Sequence, residues 1–536
     1  MATVEPPAEH ASERSSAVHG RSAEVAGDEL LSERVAGGIL PKVLNSFDMV
    51  AIFLAIVLFI TNAAVIQSAG PTAFGWWILG FVAFLIPGAI VTGQLGLMFP
   101  GEGSIYLWTH KAFGAFWGFF AGFCAWWPGV LVMMATGVTT LAFLGFVFPG
   151  TVGAWSVKTQ GVAIVGFILL SAVLAVLRFR VTQNIVNTVV VLYGLAIFLM
   201  LLAGIVHLAR GHAAETNPAQ FATWAPGSKT GINFTNWTFF GLVILALLGV
   251  EVPLNMGVEI RDVRAITRYL FWGSIAVMVA YLVATWAVMV TVPAANGGSA
   301  APVAVAEAVK LSLGTFWGDL VGLILAGFFL FITVVYNYSF ARLIFVSGLD
   351  RRLPRLMSHV NANKVPDVAV WAQSAVAALF TLLAFVILPV ASGGANQVDV
   401  QTKIYDILQA AVTVIWCISM VVLFVDVLVI VRRYASVFAE RRLGGATTPV
   451  FWICSVIGAL ASLIGIVATL SGSWTPLISN DAGTVSVFGA QISYGDWFYW
   501  VGGIALASMV VGALLYLLGR RTARQGQPQR QVAPSI

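Results

Sequence analysis

The stretch LALLGVEVPLNMGVEI, residues 245–260, sets Glu251 behind twenty-one residues, Thr230 to Val250, that carry no formal charge. A carboxylate at membrane depth costs about 2.5 to 3.5 kcal/mol on insertion scales, so a glutamate there marks a functional position. Pro253 has no N–H and cannot bond the carbonyl of Gly249 four residues back. Gly249 tolerates dihedrals that other residues avoid, Val252 is pushed toward extended geometry by the following proline, and Pro253 suits the first turn of a new half-helix. The stretch predicts a membrane span interrupted at Gly249 to Val252, and unwound backbone at that depth requires a protein-lined or wet cavity.

The rest of the chain agrees. Of 536 residues, 59% are hydrophobic and 10% charged, with a mean hydropathy of +0.92; a soluble domain carries roughly 25% charged residues. Eleven charge-free runs long enough to cross a bilayer recur between Met49 and Gly519, and the first, split at AGPTAFG (69–75), holds two spans, which predicts twelve helices. With the N-terminus inside, 23 of the 28 lysines and arginines fall in cytoplasmic segments, so both termini are expected in the cytoplasm of a multi-pass cell-membrane protein. The basic pI of about 9.1 then reports topology and not nucleic-acid binding. Cys124, Cys417 and Cys454 lie inside apolar runs, as small hydrophobes would. No disulfide framework, zinc motif or histidine pair is readable, so no metal, cofactor or catalytic group is expected. Residues 1–40 read as a disordered cytoplasmic tail without a signal peptide, and 520–536 as a second tail.

Twelve spans can divide as six plus six, or as a five-plus-five inverted repeat with two extra helices. A long cytoplasmic connection after span six would favour the first, but only RDVRAITR (261–268) stands there. The expected fold is an all-α membrane protein of the leucine-transporter-like class. Its domain covers 41–519, with inverted repeats at about 45–208 and 234–434 and extra helices at about 448–471 and 494–519. Span one should then be the second interrupted helix. Its interior, AIVLFITNAAVIQSAG (55–70), has no glycine or proline before Gly70, which leaves Thr61 and Asn62 as the candidate break or as makers of interhelical hydrogen bonds.

Three stretches resemble the amino acid–polyamine–organocation superfamily of transporters. FPGEGSIYLWTHKAFG (99–114) is similar to its motif after span two, with Ser104 in place of the usual second glycine. FGLVILALLGVEVPLNMGVEIRD (240–262) resembles its span six, and RLIFVSGLDRRLPRLM (342–357) the cytoplasmic stretch after span eight. Two departures stand out. The Gly-small-Gly triplet common in the family's span one is replaced by TNAA, and NIVNTVVVLYGLAIF (184–198) lacks the span-five lysine of some members, with Val190 or Tyr193 at that position.

An amino acid is a zwitterion, and interrupted helices suit it: a half-helix N-terminus faces the carboxylate, and freed carbonyls such as that of Gly249 face the ammonium. The candidate breaks place Thr61, Asn62, Ala63, Gly249 and Val250 at the substrate site, and the resemblance, carried onto this sequence through the family's arginine–agmatine exchanger, adds Pro128, Gly129, Met133, Leu245, Leu248 and Tyr336. Leu245 stands where that exchanger has an aromatic lid, which weakens arginine as the substrate. Met133 and Tyr336 can also be read as packing residues. Glu251 has three readings: a proton acceptor that gates the cycle, an acceptor for unwound backbone, or a ligand for a cationic substrate. Glu259 and Arg261 form a candidate inner gate or a solvated face, and Asp426 could pair with Arg432.

No span supplies the polar stripe of a channel, and Glu251 has no companion that would make an enzyme. The reading is secondary active transport of amino acids or related amines, by exchange or with protons. The partners expected are a small-molecule substrate, a proton or counter-substrate, and membrane lipid. A polyamine or organic-cation permease, or a non-transporting nutrient sensor on the same scaffold, are the alternatives.

Overall fold

The computed structural model describes residues 29–217, 219, 231–233, 236–293, 302–391, 397–472, 474, 485–487, 490–492 and 496–525. Among them, ten helical stretches are long and apolar enough to cross a membrane, and two shorter apolar helices accompany them, Ser46–Val57 and Thr238–Leu247. In chain order the helices are α1 Leu31–Ile39, α2 Ser46–Val57, α3 Thr61–Ile66, α4 Ala73–Gly80, α5 Ile86–Met98, α6 Ser104–Phe113, α7 Ala115–Val147, α8 Val157–Ala175 and α9 Phe179–Ala209. There follow α10 Thr238–Leu247, α11 Arg264–Thr291, α12 Ala304–Leu313, α13 Thr315–Leu349, α14 Asp367–Leu382, α15 Gln397–Arg433, α16 Thr448–Ser471 and α17 Trp497–Gln525, with two short unnumbered helices at Leu388–Ala391 and Ala435–Glu440. A small antiparallel hairpin pairs Val485–Val487 with Ala490–Ile492.

The centre of the bundle is the long contact between α7 and α13. Gly129 lets it close, because a Cβ there would meet the Phe340 ring at 2.3 Å. Outward faces stay apolar: Val162 and Val173 of α8, Leu460 and Val467 of α16, and Leu506 and Leu514 of α17 are all exposed. A contiguous apolar surface of this kind suits lipid and not water.

Two local rules recur. A π-turn spans Phe81–Leu85 and another Leu383–Ile387, and each ends two residues before a proline, Pro87 and Pro389. The missing proline N–H breaks the regular hydrogen-bond ladder, and the chain absorbs the mismatch as one wide turn. The second recurrence is larger. HKAFGAFWG (110–118) and VKLSLGTFWG (309–318) both join a ten-residue helix to a long one through a left-handed glycine, Gly114 at φ 86° and Gly314 at φ 100°. In each, the glycine N–H donates to the carbonyl four residues back, His110 or Lys310. The next glycine, Gly118 or Gly318, donates to the turn glycine and packs on the side chain of that same residue.

The first correction concerns the end of the expected N-terminal tail. Residues 1–28 lie outside the described part, as do 526–536, but Leu31–Ile39 is a helix. Its Ser32 N–H and hydroxyl both donate to Asp350 at 2.8 Å, and Glu33 pairs with Lys111 at 3.0 Å. These bonds tie α1 across the end of the bundle where α5 and α13 finish and α11 begins.

Candidate functional site

Span one breaks where the chain offers no glycine. Helix α2 ends at Val57, Leu58 leaves helical geometry at φ −96°, ψ 76°, and α3 starts at Thr61. The break is therefore Leu58–Ile60, just before the Thr61–Asn62 pair, which begins the second half-helix. Tyrosine side chains replace the missing helical bonds. Tyr336 donates to the Ile56 carbonyl at 3.0 Å, Tyr281 lies 3.0 Å from that of Val57, and Tyr193 donates to that of Leu58 at 2.8 Å. In return the Phe59 N–H donates to the Tyr281 hydroxyl and the Ile60 N–H to that of Tyr193. Buried backbone polar groups need partners, and three phenols from α9, α11 and α13 supply them.

Span six breaks at the expected place. Helix α10 ends at Leu247, Leu248 turns extended at ψ 150°, Gly249 sits at φ 103°, and two short 3-10 turns follow, Val252–Asn255 and Gly257–Glu259. Gly249 is needed twice over: its φ is left-handed, and a Cβ would meet Ile56 at 2.4 Å. One expectation changes, because the Gly249 carbonyl accepts from the Val252 N–H at 3.1 Å and is not freed. The Tyr281 hydroxyl also lies 3.0 Å from the Ala246 carbonyl, so a single phenol bridges both breaks.

Beside the breaks lies a cavity of about 870 Å³, counting its mouth. Thr61, Asn62, Leu245, Leu248 and Tyr336 line it, as the sequence suggested; Ala63, Pro128, Gly129, Met133, Gly249 and Val250 do not. The reason on α7 is register. Val132, Ala135 and Thr139 form the lining stripe, which turns Met133 into the bundle and leaves Pro128 and Gly129 farther along the helix. Ala63 and Val250 are fully buried, and Gly249 is covered by Ile56 and Trp416.

The polar and aromatic lining residues missed by sequence include Phe59 at the span-one break, Thr139 on α7, and Tyr405, Asp406, Gln409, Trp416 and Trp474 on α15 and beyond it. Among the described lining residues Asp406 is the one carboxylate. Its signal was faint, because it stands immediately before the charge-free run Ile407 to Val425 and reads as a span boundary.

Glu251 is buried behind this lining. The Trp416 indole N–H donates to its Oε1 at 2.9 Å. Trp416 meets Phe340 edge to face at 5.7 Å, and Phe340 stacks on Tyr336 at 5.0 Å, so an aromatic row links the carboxylate to the cavity wall.

At the α1 end, Glu259 is not paired with Arg261, whose side chain is exposed. Glu259 Oε1 instead accepts from Arg342 Nη2 at 2.7 Å and Nε at 2.9 Å, with both side chains buried. Arg342 lies on α13, eighty-three residues away, beyond the reach of local sequence reasoning. The N–H groups of Val43 and Leu44 both donate to the Glu259 carbonyl, and Arg261 N–H donates to that of Leu44. Asp426 likewise does not take Arg432; it accepts from the Thr109 hydroxyl at 2.6 Å, while Arg432 lies over the Trp452 ring. Among the described residues no group of His, Cys, Asp and Glu has a metal-binding arrangement.

A family model described as amino acid permease matches residues 44–481. The chain is 25% identical over 287 residues to a probable agmatine/putrescine antiporter of Lactococcus lactis, covering 52% of this chain and 58% of that protein. It is 29% identical over 154 residues to a polyamine transporter of Oryza sativa, 27% of each, and 24% identical over 339 residues to a branched-chain amino acid permease of Lactococcus lactis, 58% of this chain and 68% of that one. The chain thus spans less than two thirds of the antiporter and of the rice transporter. The fold is shared with the Eremococcus coleocola manganese transporter (TM-score 0.53, 13% identity, 91% and 98% covered). It is also shared with MhsT, solved with L-phenylalanine (TM-score 0.54, 13% identity, 80% and 99% covered).

Proposed function

The chain belongs to the amino acid permease family, and from that premise we propose that it is a secondary active transporter. It moves amino acids or related amines across the cell membrane by alternating access, in exchange for a second solute or with protons. One observation carries the reading: the cavity lies where two helices break, and its lining joins one carboxylate, Asp406, to the rings of Phe59, Tyr336, Trp416 and Trp474. A carboxylate beside aromatic faces recognises an ammonium group by charge and by cation–π attraction.

The same lining favours a second reading, a permease for polyamines or other organic cations. An amine would meet the Asp406 carboxylate among these rings, and the same pairing suits a substrate that carries an ammonium group without a carboxylate. The agmatine/putrescine and polyamine relatives support this reading; the branched-chain permease supports the first. A counterflow assay in proteoliposomes decides between them, with one labelled amine and a panel of unlabelled amino acids and polyamines as competitors. Competition by neutral amino acids alone would refute the cationic reading, and competition by none would refute transport of this class.

The architecture we assign is twelve spans, with Ser46–Val57 and Thr238–Leu247 as the first halves of broken spans one and six. The repeats are 45–208 and 234–434, related by inversion. The paired helix–glycine–helix units at Gly114 and Gly314 support this, since they lead into spans three and eight, one position in each repeat. The lysine and arginine bias favours both termini in the cytoplasm, with α1 and Arg342 at the inner end and the Pro302 and Trp474 side of the cavity lining toward the outer end. Glu251 is assigned as the acid through which protonation reaches the cavity wall, by way of Trp416.

A further inference from the structure

The motif FPGEGSIYLWTHKAFG contributes a residue to which neither the cavity nor Glu251 gives a task. Glu102 stands in the loop after α5, paired antiparallel with Met256 of the broken span six, and it is buried. Gly257 presses on the same loop, since a Cβ there would meet the Gly101 carbonyl at 2.2 Å. Glu102 Oε2 accepts from the Val258 N–H at 3.3 Å, and its Oε1 lies 3.5 Å from Arg342 Nε.

Arg342 is already engaged. Its Nε and Nη2 donate to Glu259 and its Nη1 to the Tyr338 carbonyl. Two buried carboxylates therefore face one buried guanidinium. A buried cation neutralises one anion; a second, so close and out of water, is held only as the neutral acid. Other charges on the packed elements have partners of their own, among them Asp426, which accepts from Thr109, and Arg433 and Arg441, which donate to the Lys111 and Met98 carbonyls. Asp350 accepts from Ser32 and Tyr106, Lys111 pairs with Glu33, and Asp48 pairs with Arg180, while Arg352 faces Tyr106. Arg261 is exposed.

We propose that Glu102, Arg342 and Glu259 form a proton-binding site at the inner end of the transporter, distinct from Glu251. One proton sits on the Glu102 carboxyl while that end is closed. When span six and the loop after α5 separate, the carboxyl hydrates and its O–H breaks, the proton passing to water and the electron pair staying on the carboxylate. Burial, and after it the Glu259 carboxylate, holds the Glu102 carboxyl well above the usual carboxylate range, against the opposing pull of Arg342 and the Val258 N–H. An acid held high by the folded state binds its proton more tightly folded than unfolded. Its stabilisation is therefore present at acid pH and lost as pH rises through the raised range. Closure of the inner end is favoured by acid, and one linked proton shifts that equilibrium by up to about tenfold per pH unit.

The site rests on the alternating-access reading, but its test needs no substrate, so the two can fail separately. The melting temperature of the full-length protein in detergent is followed from about pH 5 to about pH 8, for wild type, Glu102→Gln and Glu259→Gln. Wild type should lose stability as pH rises. Either variant should remove about one proton from the slope, because a single carboxylate then balances Arg342. Glu251→Gln should leave that component in place. If one variant does not fold, the other decides. A wild-type melting temperature that does not fall with pH, or folded variants that all keep the full wild-type slope, overturns the proposal.

Discussion

The indole N–H of Trp416 donates to Glu251, and the same residue lines the cavity. A change of charge on the carboxylate therefore acts on a ring that a substrate would touch. Glu251→Gln should keep substrate binding and flatten the pH dependence of transport; Trp416→Phe, which keeps a ring and removes the donor, should cost about 1 to 3 kcal/mol of stability. Flux across a pH series and thermal melting measure the two. A Glu251→Gln protein with a wild-type pH profile would refute the coupling role.

Asp406→Asn keeps the size of the side chain and removes its charge. Hydrogen bonds to charged groups contribute about 1.5 to 3 kcal/mol, so affinity for cationic amines should fall roughly 10- to 150-fold. Competition binding checks this, and an unchanged Kd for every amine would take Asp406 out of recognition.

Tyr281→Phe removes the hydroxyl that bridges Val57, Phe59 and Ala246. With buried backbone groups left without that partner, stability should drop by about 1 to 3 kcal/mol and transport should slow. Tyr193→Phe should act in the same direction on Leu58 and Ile60. Wild-type melting in both variants would mean the break is held by packing alone.

Gly114→Ala and Gly314→Ala form a matched pair. Neither site crowds an added Cβ, so the cost is the positive-φ, extended backbone alone, about 1 to 3 kcal/mol in each. Near-equal losses in thermal melting support equivalent roles in two repeats. A loss at one site with none at the other would argue against equivalence.

What the sequence made legible was local. The break in span six follows from Gly249 and Pro253 alone, and the cavity residues Leu245, Leu248, Thr61 and Asn62 flank the two breaks. The break in span one was harder to see, because its cause is three tyrosines on other helices and not its own composition. Glu259 was legible as a candidate gate residue but with Arg261 as its partner; its partner in the structure, Arg342, was not legible, since no short spacing connects positions on different spans. Asp406 was hidden by its place at the edge of an apolar run. The similarity of HKAFGAFWG to VKLSLGTFWG, two hundred residues apart, could have been read directly and supports the proposed repeat.

The tyrosine clamp on span one has a consequence for how that helix can move. Its three hydroxyls belong to α9, α11 and α13, yet they hold three consecutive carbonyls, those of Ile56, Val57 and Leu58. A small shift of this backbone strains all three bonds together, and no single one can be given up while the others keep their geometry. The three bonds thus couple α9, α11 and α13 to the same three residues, so that a displacement of span one is felt on all three helices at once.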